Sequence, residues 1–139
     1  MESELFSSLL FVIGLLLVGM SFGSKRGLLK GAFYIFAGSI VTIAAKALFW
    51  ESRPCEGLPF CPGDSGIVSG HALVSAMFAL AYYNKKDFIF FLLLALAISL
   101  SRIWFGVHDI AQVGRSIGIA MLLNYGIGVV FNGGNHKKG

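Results

Sequence analysis

Apolar runs close to the length of a bilayer-crossing helix fill most of this chain, at about 5–23, 31–50, 72–83, 88–105 and 110–131. A helix needs roughly 20 apolar residues to cross hydrocarbon, so the pattern predicts an all-α fold: an integral membrane helical bundle of about five transmembrane helices in one domain, residues 1–139. The third run is short unless its helix starts near Gly66, which would bring Ser69, Gly70 and His71 into the first turns. Hydrophobic residues make up 56% of the chain and charged ones 13%, which excludes an ordinary soluble core. No basic tract interleaves with aromatics, so nucleic acid is excluded as a partner. The acidic start "MESE" leads into a run longer than a signal-peptide core with no small-residue cleavage site, and the first span is read as retained.

Basic residues set the orientation, because Lys and Arg collect on the cytoplasmic side. Lys25, Arg26 and Lys30 lie between the first two runs, Lys85 and Lys86 between the third and fourth, and Lys137 and Lys138 at the C-terminus. Five spans with these groups inside put the N-terminus outside. The segment "ESRPCEGLPFCPGDSG", residues 51–66, then faces an oxidising compartment. A disulfide between Cys55 and Cys61 is compatible with that location, and their spacing alone leaves paired and free states open. Two thiolates without a histidine pair make an incomplete zinc site, so no metal is expected. Glu51, Glu56 and Asp64 read as solvated loop charges, and Trp50, Trp104 and Phe105 as interfacial aromatics. Gly19 and Gly23 form a G-x-x-x-G, a weak pairing signal in a chain with 18 glycines.

The remaining polar residues gather at the outer ends of three segments: Lys46 and Arg53; Ser69, Gly70 and His71; Ser101, Arg102 and His108. Each charge alone could snorkel to the interface. Three cations and two histidines at one depth argue instead for a site. Lys46 and Arg53 share a helix face if the second helix continues to Pro54.

Lys46 to Arg53-Pro54, Ser69-Gly70-His71 and Ser101-Arg102 to His108 together resemble the motifs of the type 2 phosphatidic acid phosphatase superfamily: K-x6-R-P, P-S-G-H and S-R-x5-H-x3-D. Val68 stands in place of the motif proline and Gln112 in place of its aspartate. Gln112-Val113 is similar to the dolichyl diphosphatase and glucose-6-phosphatase branches. The superfamily usually has six spans, so one would be lacking here, at the N-terminus. The resemblance implies that Lys46, Arg53 and Arg102 clamp a phosphate, which suits a reaction that consists mainly of stabilising negative charge. Ser69 and the Gly70 amide would add donors, Ser101 being a further candidate, at a helix start that favours an anion. His108 would attack phosphorus to form a phosphohistidine. His71 would protonate the leaving oxygen and then activate water.

Histidines among so many cations are expected to titrate low. On a helix starting near His108, residue 112 lies one turn on and on the same face, so the Gln112 carbonyl can accept the Nδ1 proton and fix the tautomer. An aspartate there should do no worse if the pocket tolerates its charge. Asp109 is the alternative, but it diverges by about 100° around the helix. Arg115, two turns below His108, would meet a second phosphate or pair with Glu51 or Asp109. These readings combine into a cofactor-free membrane lipid phosphatase with an extracytoplasmic site, taking a polyprenyl diphosphate or a phosphatidylglycerophosphate-type lipid. A phosphotransferase with the same phosphohistidine, or a catalytically silent lipid-binding relative, are the alternatives. The oligomeric state is left open.

Overall fold

The computed structural model describes the backbone of residues 2–22, 25–83 and 85–132, and the side chains of 10–20, 28–83 and 85–129. Five helices follow in chain order: α1 (Glu2–Phe22), α2 (Lys25–Leu48), α3 (Gly70–Ala81), α4 (Phe88–Trp104) and α5 (Ile110–Asn132), with no strand among the described residues. All three prolines, Pro54, Pro59 and Pro62, fall in the long α2–α3 connection, so no helix is interrupted by a residue that lacks an amide hydrogen. α2 begins at Lys25, so the basic residues taken as a loop belong to its first turns. Hydropathy marks where hydrocarbon contact would begin, whereas lysine and arginine continue a helix readily. Lys137, Lys138 and Gly23 lie outside the described residues, as do the side chains of Lys25 and Arg26.

Two helix ends differ from expectation. α2 stops at Leu48, well short of Pro54. The amide of Glu51 donates to Ser65 Oγ at 3.0 Å and its carbonyl accepts from Gly66 N at 2.7 Å, so backbone groups that could extend the helix are bonded across the connection instead. α3 starts at Gly70 rather than near Gly66, with Ser69 as its N-cap: the extended Ser69 accepts from Ala72 N at 3.4 Å. Its 12 residues span only about 18 Å.

That short helix is the centre of the bundle. α3 packs against α1, α2, α4 and α5. Leu73, Met77, Phe78 and Tyr82 are buried with Tyr34 and Ile35 of α2, Phe91 and Ala95 of α4 and Ala120 of α5. Phe78 meets Phe91 edge-on at 5.4 Å, and Tyr82 stacks on Phe91 at 4.0 Å. Glycine admits the Phe78 ring: a Cβ on Gly19 or Gly31 would lie 2.7 or 2.6 Å from it. Gly19 therefore serves α1 packing onto α3.

The outer faces of the surrounding helices are apolar as well. Leu29, Phe36 and Ile43 of α2, Ile89, Leu93 and Leu100 of α4, and Met121, Leu122 and Tyr125 of α5 are exposed. Among the described residues, Leu28–Leu48 is the stretch both long and apolar enough to cross a membrane; Leu10–Met20, Gly70–Ala81 and Phe88–Trp104 are shorter apolar helices.

Candidate active site

The α2–α3 connection, the α4–α5 turn and the first turns of α5 meet at one end of the bundle. His108 sits in the turn between α4 and α5. The carbonyl of Arg102 accepts from both Val107 N and His108 N, at 3.1 and 3.2 Å, and Gly106 supplies the positive φ of +65° that this reversal requires. His108 is thereby tucked back under α4, 3% exposed. Helix α5 begins later than expected, at Ile110, because the Asp109 carboxylate accepts from Gln112 N at 2.7 Å and acts as the cap. Asp109 is thus bonded to the α5 backbone rather than to the imidazole.

Gln112 joins the two sides of the site. Its Oε1 lies 3.0 Å from His108 Nδ1, and its Nε2 donates to Glu51 Oε1 at 3.1 Å and to the Ser52 carbonyl at 2.9 Å. A carboxylate and a backbone carbonyl only accept, so the amide orientation is set. The carbonyl must face the ring, and His108 carries its proton on Nδ1. The opposite nitrogen, Nε2, is then an acceptor. Arg53 NH1, a donor in any state, stands 3.0 Å from it.

Arg53 arrives from the connection rather than from α2, yet it reaches the same place as Lys46. Both bond the Asp64 carboxylate, Lys46 at Oδ2 and Arg53 NH2 at Oδ1, and Arg53 Nε also donates to the Asp64 carbonyl at 3.0 Å. Asp64 is therefore not a free solvated charge. Burial pushes its carboxyl up, but the hydrogen bonds and charges of Lys46 and Arg53 outweigh this and hold it below the usual carboxylate range. Glu51 is corrected in the same way, since it pairs with Arg115 and with Gln112. Arg115 lies only five residues into α5 and turns toward the connection, where it pairs with Glu51, one of the two partners expected for it. The connection is closed by a Cys55–Cys61 disulfide with a Cα separation of 5.4 Å.

Burial and the positive charge of Arg53 push the His108 pKa down to about 4, with Gln112 opposing by hydrogen bonding and Lys46 and Arg102 adding to the depression. The charges of Arg102, Lys46 and Arg53 act on His71 also, which places both rings in one cationic field. His71 stands in the first turn of α3 with Phe11 of α1 tilted against its ring at 4.5 Å. Arg102 Nε is buried and has no hydrogen-bond partner among the described residues.

Three motif residues have structural uses. Ser69 is fully buried; besides capping α3, its amide donates to Ser116 Oγ at 2.8 Å, and Ser116 donates to the Gln112 carbonyl. Gly70 lets α3 approach Thr42, whose Cγ2 would lie 3.0 Å from a Cβ there. Ser101 Oγ donates to the Ile98 carbonyl within α4. Ser116 and Phe11 were missed from the sequence, and Asp64 was read there only as a solvated loop charge. Nothing in their local pattern separates them from solvated charges, a polar helix residue or an apolar helix face.

The model of the family described as the PAP2 superfamily matches residues 27–132, which include every one of the motif residues. No curated protein and no solved structure matches the chain.

Proposed function

Because the chain belongs to the PAP2 superfamily, a membership that supports a hydrolase of the phosphatase type, we propose that it is a membrane lipid phosphate phosphatase working through a phosphohistidine on His108. The observation that carries this reading is the polarity of the groups around His108: Gln112 Oε1 at Nδ1 and an arginine donor at Nε2. Such a ring has its lone pair on Nε2 and is neutral near pH 7. It becomes a nucleophile once Arg53 NH1 turns from it to the substrate.

In the proposed reaction Nε2 attacks phosphorus, the P–N bond forms and the P–O ester bond breaks. With the substrate's negative charge offsetting the surrounding cations, His71 takes up a proton from solvent and gives it to the departing oxygen. Neutral His71 then takes a proton from water as that water's oxygen attacks the phosphohistidine, which releases phosphate and restores both rings. Lys46, Arg53 and Arg102 neutralise the charge on the non-bridging oxygens, so the chain's own cations suffice for this step without a metal or cofactor. A buried guanidinium nitrogen without an acceptor, as at Arg102, is satisfied by an anionic oxygen.

Membrane residence is part of the proposal. Its support is the many large apolar side chains exposed on the helices around α3, together with exposed Trp50 and Trp104 near the site end. The five helices would lie in the bilayer with the site and N-terminus extracytoplasmic and the C-terminus inside. The substrate's tail would remain in lipid while its phosphate enters at the surface. Arg115 pairs with Glu51 at an exposed position, where a second phosphate could take the carboxylate's place; a polyprenyl diphosphate or a phosphatidylglycerophosphate-type lipid would present its terminal phosphate to Lys46 and Arg53. Phosphate release from a panel of lipid phosphates in detergent tests the reading, and acid-labile label retained on His108 is expected on brief mixing. Absence of release from every lipid phosphate, or release unaffected by loss of His108, rejects it.

A further inference from the structure

The Asp64 carboxylate does to Lys46 and Arg53 what a phosphate would do. One oxygen takes the ammonium and the other takes the guanidinium. Carboxylate and phosphate present similar paired oxygens to arginine. The arginine is deeply buried while the Asp64 side chain is 39% exposed, so the carboxylate lies on the open side of the cations. Little packs near its chain neighbour Gly63, which is exposed and has open space where a Cβ would stand.

Every donor face of Arg53 is in use in this arrangement. NH2 holds the carboxylate, Nε holds the Asp64 carbonyl, and NH1 covers His108 Nε2, the atom that must attack. An anion that draws Arg53 toward itself therefore also uncovers the nucleophile.

We propose that Asp64 is a specificity-determining residue of the phosphate site, a built-in anion that a doubly charged terminal phosphate displaces from Lys46 and Arg53 and that a singly charged phosphodiester does not. The proposal rests on the phosphate-site reading above and adds the charge class of the substrate to it. The reason is a charge count. Exchanging a carboxylate for a monoanion leaves the charge facing the cations unchanged, so the exchange gains little. A dianion brings one further charge into a region of low dielectric, where an extra charge counts for more than in water. Asp64 thus raises the concentration at which any anion binds by a similar factor, and this removes measurable affinity first from singly charged anions, whose attraction to the cations is the weaker.

The test is anion binding by the purified full chain in detergent, followed by calorimetry at a pH near 8. The probes are inorganic phosphate, methyl phosphate as the dianion and dimethyl phosphate as the monoanion. Asp64→Asn is expected to bind inorganic phosphate about tenfold tighter or more, the gain from removing one competing charge-assisted contact. It should also acquire measurable affinity for dimethyl phosphate. Asp64→Ser should repeat both gains, and Asp64→Glu, which keeps the carboxylate, should behave like the wild type. In the wild type itself methyl phosphate should outbind dimethyl phosphate by about tenfold or more, a comparison that requires no variant.

Equal or weaker phosphate binding in both Asp64→Asn and Asp64→Ser would make the residue a brace for the cations and overturn the proposal. So would equal binding of the two methyl esters by the wild type. Hydrolysis that persists without the gain in binding removes this proposal and spares the phosphatase. The gain in binding without any hydrolysis spares the proposal and removes the phosphatase.

Discussion

Gln112 Oε1 lies 3.0 Å from His108 Nδ1, and the same side chain's amide nitrogen faces two acceptors, Glu51 Oε1 and the Ser52 carbonyl. The substitution expected from the motif alone, Gln112→Asp, is reversed by this surrounding. A carboxylate at 112 would stand against Glu51 and a carbonyl with no donor to offer either. Gln112→Asp should therefore lose turnover, and Glu51→Gln added to it should recover part of the loss by removing the like charge. Gln112→Ala should lower kcat by about tenfold to a hundredfold, the scale seen for partners that orient a working histidine. Steady-state phosphate release from one lipid phosphate by the four proteins decides this, and a Gln112→Asp single variant as active as wild type would contradict it.

The His108 titration follows from the same contacts. Its pKa is pushed from 6.5 to about 4, so the ring is neutral above that value and protonates only as the pH falls through it. Arg53→Gln removes a repelling charge and should raise the midpoint toward 6.5; Gln112→Leu removes the hydrogen bond that favours the protonated ring and should lower it further. Nitrogen-15 NMR of labelled histidine, assigned by His108→Ala, reads both shifts. A wild-type midpoint near 6.5 would remove the burial argument.

The two histidines should fail differently. His108→Ala is expected to abolish phosphate release, since no neighbouring nucleophile can replace the ring. His71→Ala should slow esters with poor leaving groups far more than those with good ones, because only the former require a proton on the departing oxygen. A uniform loss across leaving groups would argue against His71 as the acid.

Gly66 is a close-approach position. A Cβ there would lie 2.9 Å from Arg53 Cγ, from Gln112 Nε2 and from the Ser52 carbonyl, and the last is backbone. Gly66→Ala should cost about 1–3 kcal/mol of stability and should reduce turnover by displacing the Gln112 amide. Thermal unfolding and phosphate release measure the two effects. Full activity in Gly66→Ala would mean that the connection yields without disturbing Gln112.

The proposed membrane orientation is testable at two exposed positions. A cysteine replacing Gly63 should react with an impermeant thiol reagent added to intact cells, and one replacing Lys85 should react only after permeabilisation. The opposite pattern would invert the topology and move the site to the cytoplasmic leaflet.

The sequence by itself determined the helices and the local pairing of His108 with Gln112. Apolar runs free of proline can hardly avoid helix, because no other structure satisfies their backbone groups locally. The relation of His108 to Gln112 was readable because one helical turn brings i and i+4 together, and it persists although α5 starts two residues after His108. What lay beyond one turn was decided by tertiary structure. Lys46 and Arg53 were expected on one helix face; they converge instead because Asp64 bonds both across the α2–α3 connection. Glu51 and Arg115 are 64 residues apart; the sequence offered Glu51 or Asp109 as the partner, and only the folded connection selected Glu51. Ser69 reads as a phosphate donor in its motif, and only the folded chain shows that its hydroxyl oxygen also caps α3 and its amide goes to Ser116 on α5. The physical reason is the range of the interactions. Periodicity and capping follow from the geometry of a few consecutive residues, whereas the partner of a loop charge depends on where the chain closes around the buried α3, and the local sequence does not carry that information.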